Sequence, residues 1–419
     1  MTRRKALQSA AGLAMFSIVP RHVLGGIGFV APSEVITRGT IGVGAQGFRS
    51  MLENKEGEAI RQVAVCDVDK NHLAKAVEKA GKGCRGYSDF RKLLEQKDVD
   101  TVHIATPDHW HSLIAMAAME AGKDVLGEKP MHRFIREGPR MIAAAVKFGR
   151  ILQINTQGRR LWTRHGKLVE SGALGWPLKI YLGKSTGFEF KVKDWSGKTR
   201  LEPQPVPREL DYDTWLGPAP WKPYHPHRVH QSFRGYWDYA GGGLTDMGQH
   251  WIDPMQYVLG KDDAGPVEVE ANAPWPQHPE AAGMWGWLRI KYQDGCEIIL
   301  ESGEWGEALA GERAMIEGPK GKVFGGKKGN QTEPAGLFKQ AGEPEKLKTF
   351  DEAVKSRVND GTDHPNGRAA HRSATLLHLC NIAIRTGTKI SWDPVKEEII
   401  GDMQAKQFLE IPLRPPWHF

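Results

Sequence analysis

From Val35 to Ile154 the chain alternates short apolar runs with stretches in which apolar residues recur at helical spacing. This pattern is typical of a parallel sheet wrapped by helices. The predicted strands are Ile36–Val43, Gln62–Cys66, Thr101–Ala105, Asp124–Leu126 and Ile151–Ile154. The predicted helices are Gln46–Lys55, Asn71–Ala80, Ser88–Glu95, His109–Ala121 and Ile135–Phe148. We therefore expect an α/β unit with a doubly wound parallel sheet.

The pattern changes after residue 160. Of the 14 Trp residues only Trp110 precedes that point, which places a domain boundary between Ile154 and Trp162. Later strand-like runs are Leu178–Ser185, Pro266–Glu270, Met284–Tyr292, Cys296–Glu301 and Arg313–Glu317. They predict a second α/β domain with a large, open and mostly antiparallel sheet, whose free face is available for a homo-oligomer, a dimer or a tetramer. Helices are expected at Asp246–Leu259 and Gly367–Arg385.

The expected division is a first domain at 36–158, a second domain at 159–395, and a C-terminal tail at 396–419 that packs back on the fold. The Gly-Pro-Lys-Gly run at 318–321 is a hairpin signal within the second domain.

Composition and charge narrow the class of protein. The chain is 40% hydrophobic and 26% charged, which fits a globular protein. Its net charge is 57 − 50 = +7, but residues 1–24 hold four basic and no acidic side chains, which leaves +3 for the rest. A nucleic-acid partner is therefore not indicated.

Residues 1–24 resemble an export signal. Arg3 and Arg4 precede an apolar stretch, Ala10 to Val19, that is too short to span a bilayer. We interpret the segment as a Tat-type signal peptide, which predicts a periplasmic protein without stable membrane insertion. The alternative is a basic N-terminal arm, because the segment lacks a clean A-x-A cleavage site.

A glycine-rich turn follows the first predicted strand, with the sequence Gly42-Val43-Gly44-Ala45-Gln46-Gly47. Asp67 ends the next strand 20 residues after Gly47, where a carboxylate can bind the ribose hydroxyls of an adenine nucleotide. Together these features predict a dinucleotide site, with NAD(H) favoured over NADP(H) because Asp67 repels a 2′-phosphate. The alternative is a glycine-rich turn beside a solvated Asp.

Two further turns at the carboxyl ends of strands should face that cofactor. One holds Thr106, Pro107 and His111, and the other holds Glu128, Lys129 and Pro130. A lysine beside a nicotinamide can hydrogen-bond a substrate hydroxyl, although a surface lysine in a turn is the alternative. In the first turn Asp108 can simply cap the following helix.

No metal site is predicted. His109 and His111 stand at i, i+2 at a helix start and point apart, and the histidines at 225, 227 and 230 fit no firm signature. The four cysteines lie far apart without a C-x-x-C pair and are interpreted as buried thiols.

Taken together, the motifs Gly42-x-Gly-x-x-Gly47, Thr106-Pro107-x-His-x-His111, Glu128-Lys129-Pro130 and Gly241-Gly242-Gly243-x-x-Asp246-x-x-x-His250 resemble those of the Gfo/Idh/MocA oxidoreductases. The resemblance runs from about Ile36 to the C-terminus. It implies a Rossmann domain followed by an α/β domain with an open sheet, and activity on sugars, sugar derivatives or cyclitols. It also implies that Lys129 precedes a cis-proline, Pro130, and projects into the site with Asp246 and His250.

The spacing of Asp246 and His250 also supports their placement in one site. Asp246 and His250 are four apart on a predicted helix and share a face, with Asp253 one turn further on. A carboxylate that orients an imidazole is a plausible general-base pair. The alternative is that Asp246 caps the helix and His250 is a core histidine.

Candidates for substrate contact come from two further segments. Residues 190–237 are rich in aromatic and basic side chains, which predicts a carbohydrate platform that includes Trp237. The alternative is that these aromatics pack the segment on itself. Just past the last strand of the first domain, Asn155, Gln157 and Arg159 are candidates for contacts with substrate hydroxyls, and Asp253 is a further one.

The expected reaction is hydride transfer between NAD(H) and a secondary hydroxyl or ketone of a carbohydrate, with His250 and Lys129 handling the proton. A second enzyme class stays open, because a cofactor exported inside the folded chain would be recycled in place. That class is a redox-neutral glycoside hydrolase or lyase acting through a transient keto-sugar. A third hypothesis is a ligand sensor without chemistry, against which the presence of Lys129, Asp246 and His250 counts.

Overall fold

The computed structural model describes residues 35–52, 60–307, 309 and 313–419. The predicted export signal, residues 1–24, lies outside the described residues. Within the described ranges, no helix is long and apolar enough to cross a membrane.

Six parallel strands form the first sheet, in the order β3-β2-β1-β4-β5-β6. The strands are β1 (Ile36–Ile41), β2 (Ile60–Cys66), β3 (Arg85–Tyr87), β4 (Thr101–Ile104), β5 (Asp124–Glu128) and β6 (Leu152–Asn155). The helices between them are α1 (Gln46–Leu52), α2 (Lys70–Ala80), α3 (Phe90–Leu94), α4 (Asp108–Glu120) and α5 (Glu137–Phe148). The prediction of a doubly wound parallel sheet is confirmed. The sequence does not predict β3, because three residues are too few to carry a hydrophobic pattern.

The strands at the centre of the first sheet are fully buried. All residues of β1, β4 and β5 are buried, as expected for a parallel sheet covered on both faces. Ile41, Val102, Ile104, Val125 and Ile154 belong to one hydrophobic cluster beneath the helices. The polar turns at the carboxyl ends of the strands are therefore held on a rigid sheet.

The second sheet has nine strands, in the order β13-β12-β11-β7-β10-β9-β8-β14-β15. They are β7 (Lys179–Leu182), β8 (Glu268–Asn272), β9 (Trp287–Lys291), β10 (Glu297–Glu301), β11 (Ile316–Gly318), β12 (Gly321–Val323), β13 (Thr332–Glu333), β14 (Ile390–Asp393) and β15 (Glu398–Ile399). Only the β7–β10 pair of this sheet is parallel. The predicted mostly antiparallel sheet is confirmed, and β11 and β12 form the hairpin expected at 318–321.

The remaining helices are α6 (Thr163–Glu170), α7 (Tyr212–Leu216), α8 (Gly242–Val258), α9 (Phe350–Ser356), α10 (Gly367–Thr386) and α11 (Met403–Lys406). Short 3-10 turns occur at Arg159–Leu161, Lys184–Thr186, Pro226–Arg228, His230–Gly235, Gly326–Lys328 and Leu337–Lys339.

Helix α10 joins the two hydrophobic cores. Ala370 and Ala374, near its start, pack in the core of the first sheet, whereas Leu377 and Cys380 pack in the core of the second. The backbone N–H of Ile154 in β6 also donates to the carbonyl of Pro365, just before this helix. Because one helix is shared, the two sheets are held in a fixed relation.

The segment predicted as a C-terminal tail begins inside the β14–β15 hairpin and ends on the first domain. The ring of Trp417 makes an edge contact with Trp110 at 4.7 Å. Arg414 Nε donates to the carbonyl of Gly217 at 2.8 Å. The tail therefore attaches the loop around residue 217 to helix α4.

Two helical glycines predict opposite effects of an added methyl group. A Cβ on Gly47 in α1 would lie 1.9 Å from the carbonyl oxygen of Gly42, whereas on Gly166 in α6 the nearest atom, on Tyr257, is at 3.6 Å. We expect Gly47→Ala to lower the melting temperature, because backbone must move. Gly166→Ala should stabilise by about 0.5–1 kcal/mol, because alanine has the higher helix propensity. Thermal unfolding followed by circular dichroism checks both, and a Gly47→Ala protein of wild-type stability would contradict this packing.

Candidate active site

A groove of about 460 Å³ runs along the carboxyl edge of the first sheet, beneath the second domain. Its walls come from the turn after β1, the ends of β2, β4 and β5, the first half of α8, and the segment 190–237, here called the aromatic loop. The predicted site residues that line it are Gly42, Gly44, Ala45, Gln46, Asp67, Thr106, Pro107, Glu128, Lys129, Gln157, Asp246 and His250. Residues distant in sequence thus meet in one cavity.

The glycine turn has the geometry that a dinucleotide requires. Gly42 has φ +84°, a left-handed conformation that makes the sharp exit from β1. Gly44 lines the groove, where a bare backbone lets a pyrophosphate approach. The close contact of Gly47 with the Gly42 carbonyl packs α1 onto β1, so that the helix start points at the groove. These residues fit the pyrophosphate of NAD(H).

Asp67 is held at the end of β2 by backbone donors. Its Oδ2 accepts from the N–H of Val43 at 2.8 Å, and its Oδ1 accepts from the N–H of Asp69 at 2.9 Å. Each carboxylate oxygen keeps a further lone pair for a ribose hydroxyl. Because the carboxylate is anionic and fixed, it disfavours a 2′-phosphate at this position.

At the other end of the groove, Lys129 and Asp246 form a hydrogen-bonded ion pair. Lys129 Nζ donates to Asp246 Oδ1 at 3.0 Å and to the Asp246 carbonyl at 2.6 Å. Arg234 Nε donates to the same Oδ1 at 2.6 Å. Burial favours a raised pKa for Asp246, but Lys129 and Arg234 overcome it and hold the pKa well below its ordinary value. Asp246 is therefore an anion that fixes two cations.

His250 lies on the same face of α8 and is oriented by a backbone carbonyl. Its Nδ1 is 2.7 Å from the oxygen of Thr156. A carbonyl can only accept, so Nδ1 carries the proton and Nε2 keeps its lone pair. Burial, followed by the charge of Lys129, lowers the pKa of His250. The ring is therefore neutral at pH 7 and able to take a proton at Nε2.

This geometry corrects the expected Asp246–His250 pair. The two residues share the groove, but Asp246 binds Lys129 and Arg234, whereas His250 binds Thr156. The sequence places them on one helix face without showing which neighbours compete for the carboxylate. Arg234, on the aromatic loop, is the residue that sequence spacing does not pair with Asp246.

His111 and Pro130 brace the turns instead of lining the groove. The two ring nitrogens of His111 lie 2.7 Å from the carbonyl of Pro130 and 2.9 Å from that of Thr106. The ring of His111 is therefore engaged by backbone carbonyls, and a direct cofactor contact from His111 stays a prediction. The Lys129–Pro130 bond is cis, as the resemblance implied. Glu128, which does line the groove, accepts from Asn155 Nδ2 at 3.0 Å and lies 3.2 Å from His103 Nε2.

Three of the residues predicted to contact substrate have side chains that are buried on internal partners and do not line the groove. Arg159 Nη2 donates to Asp253 at 2.6 Å and to Asp262 at 2.7 Å. Asp253, with no exposed surface, also accepts from Thr156 Oγ1 at 2.7 Å. Trp237 is buried and donates from Nε1 to the carbonyl of His278 at 3.1 Å. Of the five candidates for substrate contact, all within the described ranges, only Gln157 lines the groove.

The aromatic loop is attached to the first domain along the groove. The N–H of Lys70 donates to the carbonyl of Glu209 at 3.0 Å, and the N–H of Asp211 donates to that of Val68 at 3.1 Å. Further along, Trp110 Nε1 donates to the carbonyl of Trp215 at 3.0 Å. The loop therefore forms a roof over the groove.

Some aromatics of the loop pack within the loop itself, others line the groove, and Phe233 does both. Tyr212, Tyr224 and Tyr236 are buried in a hydrophobic cluster of the loop itself. Trp195 and Phe233 line the groove. A sequence pattern that counts aromatics cannot separate these two sets.

A cluster that the sequence does not predict closes the roof near Asp67. His230, with φ +53°, reaches from the loop to Asp69, with its Nε2 3.6 Å from the carboxylate, and its ring contacts His72 at 4.8 Å. One potential ligand atom from each of these residues lies within 4.8 Å of the others. The cluster adds a further polar contact between the domains.

Two family models together match most of the chain. The model described as "Oxidoreductase family, NAD-binding Rossmann fold" matches residues 36–156. The model described as "Oxidoreductase family, C-terminal alpha/beta domain" matches residues 162–419. Both belong to the Gfo/Idh/MocA group, and the first domain is accordingly an NAD-binding domain.

Curated relatives match the chain over part of its length. Inositol 2-dehydrogenase of Salmonella typhimurium is 29% identical over 187 residues, which cover 42% of this chain and 53% of the relative. Alpha-N-acetylgalactosaminidase of Shewanella oneidensis is 31% identical over 178 residues, 36% of this chain and 39% of the relative. The matched segment thus spans about half or less of these proteins.

Solved structures share the fold over nearly the whole length. The WlbA dehydrogenase of Bordetella pertussis, in complex with NADH and UDP-GlcNAcA, has a TM-score of 0.57 at 20% identity, covering 86% of this chain and 99% of that one. The aldose-aldose oxidoreductase of Caulobacter crescentus, complexed with glycerol, has a TM-score of 0.54 at 18% identity, with 85% and 99% covered.

Substitutions of Asp253 and Asp262 test whether the ion pairs of these residues with Arg159 stabilise the fold. We expect Asp253→Asn to lower the free energy of unfolding by about 3–5 kcal/mol, because it leaves a buried guanidinium without its main counter-ion. Asp262, which is 38% exposed, also pairs with Arg159, and Asp262→Asn should cost about 1 kcal/mol or less. Urea unfolding of both variants gives the comparison. If the Asp253→Asn protein has wild-type stability but binds substrate more weakly, Asp253 contacts the substrate as the sequence predicts.

Proposed function

Because the chain belongs to the Gfo/Idh/MocA oxidoreductase family, we propose that it transfers a hydride between NAD(H) and a secondary hydroxyl or ketone of a sugar, glycoside or cyclitol. One observation carries the proposal: the amine of Lys129 and the imidazole of His250 line the same groove as the glycine turn. The relatives and the fold neighbours whose names refer to sugars or cyclitols support the substrate class.

The proton-transfer roles follow from the hydrogen bonds. An ammonium has three N–H donors, and Asp246 takes two of those of Lys129, which leaves one for a substrate oxygen. His250 holds its proton at Nδ1 on Thr156, so Nε2 accepts the hydroxyl proton. As negative charge develops on the substrate oxygen, the Lys129 cation stabilises it. When bound, NAD(H) supplies the carbon that accepts or returns the hydride.

A second candidate is redox-neutral glycoside cleavage through a transient keto-sugar. Here the substrate alcohol gives its hydride to bound NAD⁺ and its proton to a base, and the neighbouring C–H then loses its proton to a base. The glycosidic C–O bond breaks, and the departing alkoxide takes up a proton. Water adds across the resulting C=C bond in a hydrolase, whereas a lyase omits this addition, and the hydride returns to the ketone carbon. The roof made by the aromatic loop favours the redox-neutral reaction. Hydrogen bonds at Val68, Lys70 and Trp110 hold the loop over the groove, so a dinucleotide bound beneath it is poorly placed to leave after each turnover. The glycosidase among the relatives is compatible with it.

Two further features complete the proposal. We propose that the protein is exported, on the basis of the twin-arginine segment at 1–24, and that it forms a homo-oligomer through its open sheet. The outer face of that sheet carries paired charges such as Lys291–Glu268 and Arg289–Glu270, which suits a polar subunit contact.

The test is a sugar and cyclitol panel followed at the NADH absorbance, with wild type, Lys129→Met and the control Lys167→Met. Lys167 is paired with Glu170 at the surface, away from the groove. We expect Lys129→Met to reduce turnover at least about 100-fold, because the charge on the substrate oxygen loses its stabilising donor, while NADH binding stays within about twofold. If turnover and NADH affinity fall by the same factor in Lys129→Met, Lys129 has no catalytic role. A chromogenic glycoside that releases aryl alcohol without net NADH selects the redox-neutral candidate.

The pH dependence should report His250. Its pKa is lowered by burial and by Lys129, so the neutral base persists below the ordinary value of about 6.5. We therefore expect kcat at saturating substrate to stay level from pH 8 down to about 6.5 and to fall only in more acidic buffer, as the imidazole takes a proton. In His250→Gln this acidic limb should disappear together with most of the activity. A limb above pH 7 that vanishes in the same variant would contradict a lowered pKa.

A further inference from the structure

Five carboxylates line the groove, and four of them are satisfied by hydrogen-bond donors. Asp67 and Asp69 accept backbone N–H groups, Glu128 accepts from Asn155, and Asp246 binds Lys129 and Arg234. Asp108 is the exception. Its carboxyl forms no hydrogen bond or ion pair with any residue in the described part of the chain, although the residue is only 6% exposed.

The helix-cap interpretation of Asp108 does not hold. Pro107 is the N-cap of α4, and Asp108 is the first helical residue without a side-chain cap bond. Its carboxyl faces the groove among charged groups from four elements, namely His111 of α4, Lys129 after β5, Arg234 of the aromatic loop and Asp246 of α8. Burial raises the pKa of Asp108 to about 6.

An unpaired buried carboxylate destabilises a fold, so an explanation is required. The cations that act on Asp108, Lys129 and Arg234, are both bound by Asp246. Asp108 is therefore left with its lone pairs directed into a cavity that is large enough for a sugar ring. Such a group is satisfied when a ligand hydroxyl arrives.

A polar group that could complement Asp108 belongs to Trp195, which lines the same groove. The indole Nε1 of Trp195 is buried and has no hydrogen-bond partner in the described residues. The Trp195 ring faces the guanidinium of Arg234 at 4.9 Å, which fixes its orientation. An unpartnered acceptor and an unpartnered donor on residues of the same groove match a hydroxyl-bearing ligand, because each hydroxyl both donates and accepts.

We propose that Asp108 and Trp195 form a substrate subsite, in which the Asp108 carboxylate accepts a hydrogen bond from one hydroxyl of a polyhydroxylated substrate and Trp195 Nε1 donates to an oxygen of the same molecule. The subsite rests on the proposed function for the identity of the substrate. The pair selects substrates that carry a further hydroxyl besides the one that is oxidised. Compounds with a single hydroxyl leave Asp108 unpaired and are rejected.

The first test needs no substrate. A raised pKa means that ionisation of Asp108 destabilises the folded protein, so the cost is present above pH 6 and disappears as the pH falls toward 4. We expect Asp108→Asn to raise the melting temperature of the purified protein by about 1–3 °C at pH 8, with the difference shrinking at pH 5. The control is Asp402→Asn, because Asp402 caps α11 and has a lowered pKa, so its neutralisation should bring no gain. An Asp108→Asn protein that is less stable at both pH values would show a structural role and overturn the proposal.

The second test measures substrate binding with two probes, myo-inositol and 4-nitrophenyl N-acetyl-α-galactosaminide. On a probe that the wild type converts, Asp108→Leu and Trp195→Phe should each raise KM about tenfold or more while kcat changes less than threefold. NADH titration of the same variants should match the wild type. The increase in KM for Asp108→Leu should vanish on an analogue of the probe that lacks the contacted hydroxyl.

The two proposals fail separately. A KM within twofold of the wild type in Asp108→Leu removes the subsite and leaves the oxidoreductase proposal intact. If the wild type converts neither probe, that result counts against the proposed function, whereas the melting temperatures of Asp108→Asn still decide whether Asp108 is an unsatisfied, ligand-facing carboxylate.

Discussion

The candidate site depends on the buried ion pair between Lys129 and Asp246. The lysine follows β5 of the first domain and the aspartate lies on α8 of the second, so the pair joins the two halves at the point where chemistry is proposed. A pair removed from water is stable only when its hydrogen bonds are nearly complete. Asp246 meets this requirement by binding Lys129 twice and Arg234 once, and one donor of Lys129 is left for a ligand.

The rest of the site is positioned by residues that do not touch the groove. Thr156 holds His250 through its carbonyl and is itself held through Oγ1 by Asp253, whose charge is balanced by Arg159. His111 links the carbonyls of the two turns that carry Thr106 and Pro130. Residues of this kind resemble substrate contacts in a sequence because they are polar and lie near the site. Their burial assigns them to support.

The two ends of the groove have different chemistry. Near Asp67 the polar groups are satisfied within the protein and the roof is closed by His230 over Asp69. Near Lys129 the groove keeps a lysine donor, a histidine lone pair, the Asp108 carboxyl and the Trp195 indole N–H, none of which has a partner among the residues that the structure describes. Unsatisfied polar groups cost stability, and a bound substrate would satisfy those at this end of the groove. The enclosed end suits a resident cofactor, and the unsatisfied end suits a polyol.

The sequence by itself determined the parallel sheet, the later antiparallel sheet, the glycine turn with Asp67, and the two motifs that carry Lys129 and His250. These features depend on local periodicity and on short spacings, which the order of residues records directly. Only the tertiary structure decided which side chain pairs with which. Arg234 rather than His250 binds Asp246, and Arg159 and Asp253 are buried together. Asp108 has no partner among the described residues. These pairings follow from competition among charged groups for a limited number of donors, which is settled only when distant segments of the chain meet.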